Sequence, residues 1–554
     1  MTFSDRSVSR RTVLKGTAAA SAMAGLAWRT NLSALAQDAT PAAVSGGTLR
    51  MGMQGDPSAF DFQTNSLTAI WKVVEHIYDG LTRIEPDLTV APMLAESWDI
   101  SEDGLVYTFH LRQATWSDGS AFSADDVAFT FTRLLDPVTA ALQASELLSI
   151  KGAFAFNTSM TPPAGTPEAS PVAGLYDETK AALGIKVIDA QTIEITLEAP
   201  DSSFLTSMGS QSTLIMSKAF VAANNNDVTQ VTLGTGPYVL KEYVPNTSLK
   251  LERNAAYWDT GRPYFDAIDM IIASDDTART GLIIQGSADF IEYAPLRDMD
   301  TLEATEGLKV AGDANTNIRF LGFNLTREPF TNVKVRQAIA MAIDRAPIIE
   351  ACVFGRGTAV VDIFPPSFWA ALDSPLPTPD IEGAKALLAE AGYADGFKTS
   401  ITSWSEYSFL SNAATVIQEQ LKQIGIEADL NLIDNGTMIA QVYGSHDFDL
   451  TVTGTSAYVD PHGLFLNNFA STSGGNFVSY NNPEVDSLIA QGISVTDTEA
   501  RAEIYRQIQT ILLADQPWTN LFVANQYEVM KDNVFGYKHV ATGSNLFLRE
   551  SWFG

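Results

Sequence analysis

Few residues in this chain are able to do covalent or metal chemistry, and they are far apart. Five histidines (His76, His110, His446, His462 and His539) and a single cysteine, Cys352, are spread over 554 residues. None of them falls at zinc-binding spacing. Cys352 lies in the apolar run Ile348–Phe354, the setting of a small buried thiol and not of a nucleophile. With one cysteine, no intramolecular disulfide forms. His446 and His462 could meet in space, but no third histidine or cysteine stands near either, so hydrogen bonding is the better reading of both. His110 falls on the polar side of an alternating run and reads as a surface residue.

The motifs that mark common catalytic sites are missing as well. There is no HExxH helix, no GxSxG elbow, no GxxxxGK[ST] phosphate loop and no GxGxxG dinucleotide turn. Gly234-Thr235-Gly236-Pro237-Tyr238 comes nearest, lacks the third glycine, and reads as a tight turn entering a strand. The adjacent acids Asp125-Asp126 open a helix, where carboxylates favour the dipole. Taken together these residues predict no catalytic array, no metal site and no cofactor.

Composition narrows the partners. The net charge is −30 and the isoelectric point about 4.4, so the field around the protein repels nucleic acid and anionic lipid. A mean hydropathy of +0.02 suits a soluble chain, and its length calls for more than one hydrophobic core.

The N-terminus reads as an address. Arg10-Arg11, followed by an apolar position and Lys15, resembles a twin-arginine export signal. The small apolar stretch Gly16–Trp28 is too short to span a bilayer, and Ala34-Leu35-Ala36 supplies small residues for cleavage after Ala36. A signal peptide over 1–36 is expected, then a flexible tether over 37–45. No cysteine near the cleavage site would take a lipid anchor. The destination is periplasmic or extracellular.

Past the tether, strands and helices alternate. Leu49, Met51 and Met53 form an alternating strand, as do Leu105–Arg112 and Ile193–Leu197. Ser123 caps a helix burying Val127, Phe131, Leu134 and Leu135. Further helices carry Val335, Ile339, Ala342 and Ile343; Ala384, Leu387, Leu388 and Ala391 behind Asp380; Ile417, Leu421 and Ile424 before Gly425; a stretch capped by Asn482-Pro483; and Ile504, Ile508, Ile511 and Leu512. The alternation predicts α/β architecture. The proline-rich stretch 158–174 reads as a flexible insertion.

Several segments together resemble the solute-binding proteins of the dipeptide, oligopeptide and nickel ABC importers. They are LAESWDISEDGLVYTFHLRQATWSDGSAFSADDVAFTFTRL at 94–134, GTGPYVL at 234–240, RNAAYWD at 253–259, FTNVKVRQAIAMAIDR at 330–345, AKALLAEAGYADGF at 384–397 and YNNPEVDSLI at 480–489. The likeness covers essentially the whole mature chain. It implies a two-lobed periplasmic-binding-protein fold of the hinge-closing type II, with a small α+β domain inserted in the first lobe. Lobe I is placed at 46–85, 186–312 and 518–554, the insert at 86–185 and lobe II at 313–517. It also implies a monomer that binds a small ligand, a peptide or an oligosaccharide, and hands it to a permease and an ATPase.

In dipeptide-binding relatives an aspartate just before an Asp-Pro pairs with the ligand's amino group, and an arginine of the same lobe holds its carboxylate. Here Ala457 stands at the aspartate's place, Gly454 or Thr455 replaces a nearby tryptophan, and no arginine occurs between Arg356 and Arg501. Short zwitterions are therefore disfavoured, since an unpaired buried charge costs several kcal/mol, roughly. The expected contacts are Trp404, Tyr407, Gly454, Thr455, Ser456, Ala457, Tyr458 and Asp460, a polar and aromatic rim suited to an oligopeptide. A receptor for an oligosaccharide or a metal chelate, with His462 involved, is the alternative; a secreted hydrolase is a distant one.

Overall fold

The computed structural model describes residues 42–160, 174–455 and 458–554. The expected signal peptide, most of the tether, most of the proline-rich insertion, and Ser456 and Ala457 lie outside them.

The long-range frame is an eleven-stranded mixed sheet. One half starts from the alternating run near the N-terminus. Strand Thr48–Met53 pairs in parallel with Ala267–Ile272 and with Phe290–Ile291, and Ser248–Arg253 and Tyr238–Val244 extend the sheet outward in antiparallel fashion. Leu49, Met51 and Met53 are sealed from solvent, as their period of two requires. The glycines of the Gly234-Thr235-Gly236 turn sit where Cβ atoms would collide with the carbonyl of Ile77, so the turn packs directly on the end of helix Thr68–Ile77.

The other half is built from Phe397–Trp404, Ile426–Ile433 and Leu450–Gly454, all parallel. Helix Ser408–Lys422 covers it through Ile417 and Leu421 and ends before Gly425, which has a φ of +82°. Helices Val333–Ala342 and Ile381–Glu390 complete that core.

Two long antiparallel strands, Leu308–Phe323 and Trp518–Lys531, run through both halves. The pairs Leu308–Ala314 with Lys531–Asn525 belong to the first half, and Ile318–Gly322 with Val523–Trp518 to the second; the register shifts between Ala314 and Ile318. Phe290–Ile291 docks at the Val529–Met530 end and Leu450–Gly454 at the Arg319–Phe323 end. The chain therefore has the two-lobed α/β architecture of type II binding proteins.

A separate four-stranded sheet, Ala95–Ile100, Val106–Leu111, Thr192–Thr196 and Ile185–Asp189, packs on helix Ala124–Leu135 around Val127, Phe131, Leu134 and Leu135. That helix opens with a capping box between Ser123 and Asp126. The last two strands of this sheet extend past residue 185, because Thr192–Thr196 pairs directly with Val106–His110. Among the described residues no helix is long and apolar enough to cross a membrane.

Candidate ligand-binding site

In an open α/β sheet the loops beyond the carboxyl ends of parallel strands leave backbone groups and side chains free to face a ligand. In the second half those ends are Trp404, Ile433 and Gly454. Trp404 is half-buried, makes an edge contact with Tyr407 at 5.4 Å between centroids, and lies 6.4 Å from Tyr443. A π-helical turn, Ile439–Gly444, carries Tyr443 inward. Its hydroxyl lies 2.7 Å from that of Thr453, and Trp404 Nε1 donates to the same Thr453 oxygen at 3.4 Å. Buried Thr453 thus ties both aromatic side chains to the strand end. Tyr407 stays exposed at 46%, so an apolar ring face remains available at the rim.

Gly454 pairs with Arg319 across the ladder. Thr455 is locked to the strand beside it: its N–H donates to the Ile318 carbonyl at 3.0 Å and its hydroxyl accepts from the Ile318 N–H at 3.2 Å. Asn317 Nδ2 donates to the Thr455 carbonyl at 3.3 Å. Tyr458 is partly buried against the core that holds Phe465 and Tyr505. Trp404, Tyr407, Gly454 and Thr455 therefore converge on one edge of the sheet, beside the register shift.

Asp460 belongs to the framework. Its carboxylate caps helix Pro461–Phe469 through the His462 N–H at 2.9 Å and pairs with buried Arg501, also at 2.9 Å. Both bonds are internal and fall on Oδ1. His462 sits in the first turn of that helix, and burial pushes its imidazole below the ordinary range. His446 shares a hydrogen bond with Ser479 at 3.2 Å. Among the described residues no group of three or more histidine, cysteine or acidic side chains could hold a metal. Cys352 is buried, and its thiol is pushed up to about 12 by desolvation.

Arg319 is the residue that sequence reading passes over. It projects from the crossing strand, part-buried, its guanidinium over the ring of Phe409 at 5.2 Å. Burial pulls it down to about 10, and the opposing influence is that of Tyr443. Its sequence surroundings, Asn317-Ile318-Arg319-Phe320, read as a strand of alternating polar and apolar residues, and only the fold brings it opposite Gly454.

A cavity of about 270 Å³ lies near the same crossing, walled by Asp87, Asp313, Thr316, Phe368 and His539. It contains none of the expected contacts. Thr316 shares its face of the strand with Ile318 and Phe320, whereas Arg319 points the other way, toward Phe409. The two lobes touch at a further point: the Ser202 N–H donates to the Ile493 carbonyl at 2.9 Å and the Ser202 hydroxyl to the Gly492 carbonyl at 3.2 Å.

Two half-sheets joined by crossing strands, with an aromatic and polar edge at the junction, define a two-lobed ligand-binding protein. The chain belongs to the bacterial extracellular solute-binding proteins, family 5, which it matches over residues 89–477. It is similar to the glutathione-binding protein GsiB of Salmonella typhi, 29% identical over 476 residues, covering 84% of this chain and 86% of that one. Among solved structures it resembles the periplasmic binding protein AgaA in complex with agropinic acid, from A. tumefaciens (27% identity, TM-score 0.71, covering 92% of this chain and 99% of that one). It also resembles DppA of Helicobacter pylori in complex with the peptide STSA (25% identity, TM-score 0.70, covering 92% and 98%).

Proposed function

We propose that the protein is the substrate-binding subunit of an ABC importer, capturing a peptide-class solute between its lobes and delivering it to a permease and an ATPase. The observation that carries this is the break in pairing between Ala314 and Ile318 beside the edge formed by Trp404, Tyr443, Thr453 and Gly454. The ladder shifts again between Arg319 and Phe320, and a strand pair with such irregularities bends there at little cost, so the lobes close about this stretch. Ligand contacts both lobes only in the closed form and shifts the population toward it. Glutathione and a tetrapeptide in the names of similar proteins support a peptide-class solute here.

Lobe I comprises 46–85, 198–312 and 518–554, lobe II 313–517, and the inserted domain runs to about residue 197, since the strands Ile185–Asp189 and Thr192–Thr196 belong to its sheet. Trp404, Tyr407, Gly454, Thr455 and Tyr458 contact the solute, with Ser456 and Ala457 between them in sequence. Binding proceeds without turnover, by a monomer. Export follows the twin-arginine route, with cleavage near Ala36. Small-angle scattering with and without a mixed tetrapeptide library tests the closure: the radius of gyration falls on binding, and an unchanged radius in the presence of bound peptide refutes it.

A further inference from the structure

Among the described residues, Arg319 brings a positive charge to the ligand edge without a counter-ion. Other arginines in the interior have hydrogen-bonded partners: Arg345 donates through Nε to the carbonyls of Val360 and Asn520, Arg336 donates to those of Phe330 and Asp515, and Arg549 pairs with Asp79. Among the described residues, by contrast, the surroundings of Arg319 hold an aromatic face, Phe409, and a phenol, Tyr443, and no carboxylate. Desolvating a guanidinium without a partner is costly, and folded proteins keep such a group where a ligand completes it.

Gly454 gives independent support. A Cβ at this position would collide with Nη1 and Cδ of Arg319. The glycine therefore leaves room for the guanidinium to lie across the strand end, over the ring of Phe409.

Resting on the peptide-receptor reading above, we infer that Arg319 is the cation of the cleft that recognises a carboxylate of the bound solute, with Gly454 as the residue that admits it. A planar guanidinium offers paired N–H donors that match a carboxylate, and one such cation balances one such anion. The ligand is thus an acid at the point that meets Arg319, through its C-terminus or an acidic side chain.

Three mixed tripeptide probes test this by calorimetry: free acids, C-terminal amides without Asp or Glu, and amides containing Glu. The wild type prefers acids over plain amides by about 10- to 100-fold, the range of a charged hydrogen bond. Arg319→Met abolishes that preference while leaving the ligand-free melting temperature unchanged or raised, and Arg319→Lys keeps part of it. Recovery of binding by the Glu-containing amides assigns the anion to a side chain, and failure to recover assigns it to the C-terminus. Equal binding of acids and plain amides by the wild type, or a large fall in ligand-free melting temperature for both variants, overturns the assignment and leaves the peptide reading standing. If no tripeptide probe binds, the peptide reading is what fails, and propionate decides Arg319 alone: it raises the melting temperature of the wild type and not of Arg319→Met, and equal responses overturn the site.

Discussion

Asp460 Oδ1 accepts two hydrogen bonds at 2.9 Å, one from the backbone N–H of His462 and one from Nη2 of Arg501. The first caps a helix and the second neutralises a buried cation whose side chain is 7% exposed. Removing the carboxylate strands that cation, at about 3–5 kcal/mol, with about 1 kcal/mol more for the lost cap. Asp460→Ala is therefore expected to lower the denaturant midpoint sharply. The folded fraction should bind ligand as before, and a selective loss of affinity with normal stability would place Asp460 in the binding site instead.

Tyr458 is expected to behave in the opposite way. It packs only partly against the core and follows the segment that joins Thr455 to the helix cap. Tyr458→Ala should weaken ligand binding with little change in the unliganded melting temperature, and an unchanged dissociation constant removes Tyr458 from the site.

The Ser202 clasp joins the loop after strand Thr192–Thr196 to helix Pro483–Ser494. Ser202→Ala deletes the side-chain bond and keeps the backbone one. With about 1 kcal/mol for a neutral hydrogen bond, ligand dissociation should speed up roughly fivefold in stopped flow while association stays the same. A change confined to association would assign the contact to the open form.

His76 gives the pH dependence a specific signature. Both ring nitrogens are buried without a hydrogen-bond partner, and the ring meets Tyr238 edge-on at 6.2 Å. Desolvation, reinforced by Arg549 and Lys72, lowers the imidazole to about 3 from 6.5. Between those values the unfolded chain binds a proton that the folded chain does not, so the stabilisation is complete above 6.5 and is lost as the pH falls toward 3. Neighbouring Glu75, raised to about 7 by burial, acts in the opposite direction between 4.5 and 7. Below 4.5 the Glu75 effect has ended, and the His76 contribution adds to that of carboxylates held low by cationic partners, Asp289 and Glu550 among them. His76→Phe should flatten the stability profile from pH 4.5 to 3 in urea titrations, and an unchanged slope there would contradict the assignment.

How much of this can be read from sequence depends on the range over which each feature is determined. Helix Ala124–Leu135 is legible because its cap and its apolar residues lie within a few turns of one another, and strand Thr48–Met53 because alternation is local. The importer-type resemblance offers Trp404 and Gly454 as candidates, and both lie at carboxyl ends of parallel strands. The fit of Arg319 to Gly454 is not legible, since it arises from antiparallel pairing between strands far apart in sequence. The dual engagement of Asp460 is half-legible: Asp-Pro announces the cap, but Arg501 reaches it only through packing.

Native mass spectrometry of the gently purified protein tests the central claim most directly, because a closed two-lobed receptor can retain its cargo. The account predicts a bound species that, on release, fragments as a peptide carrying a free carboxylate. A co-purified hexose series, or a protein that stays ligand-free after exposure to mixed peptides of every length tried, would contradict it.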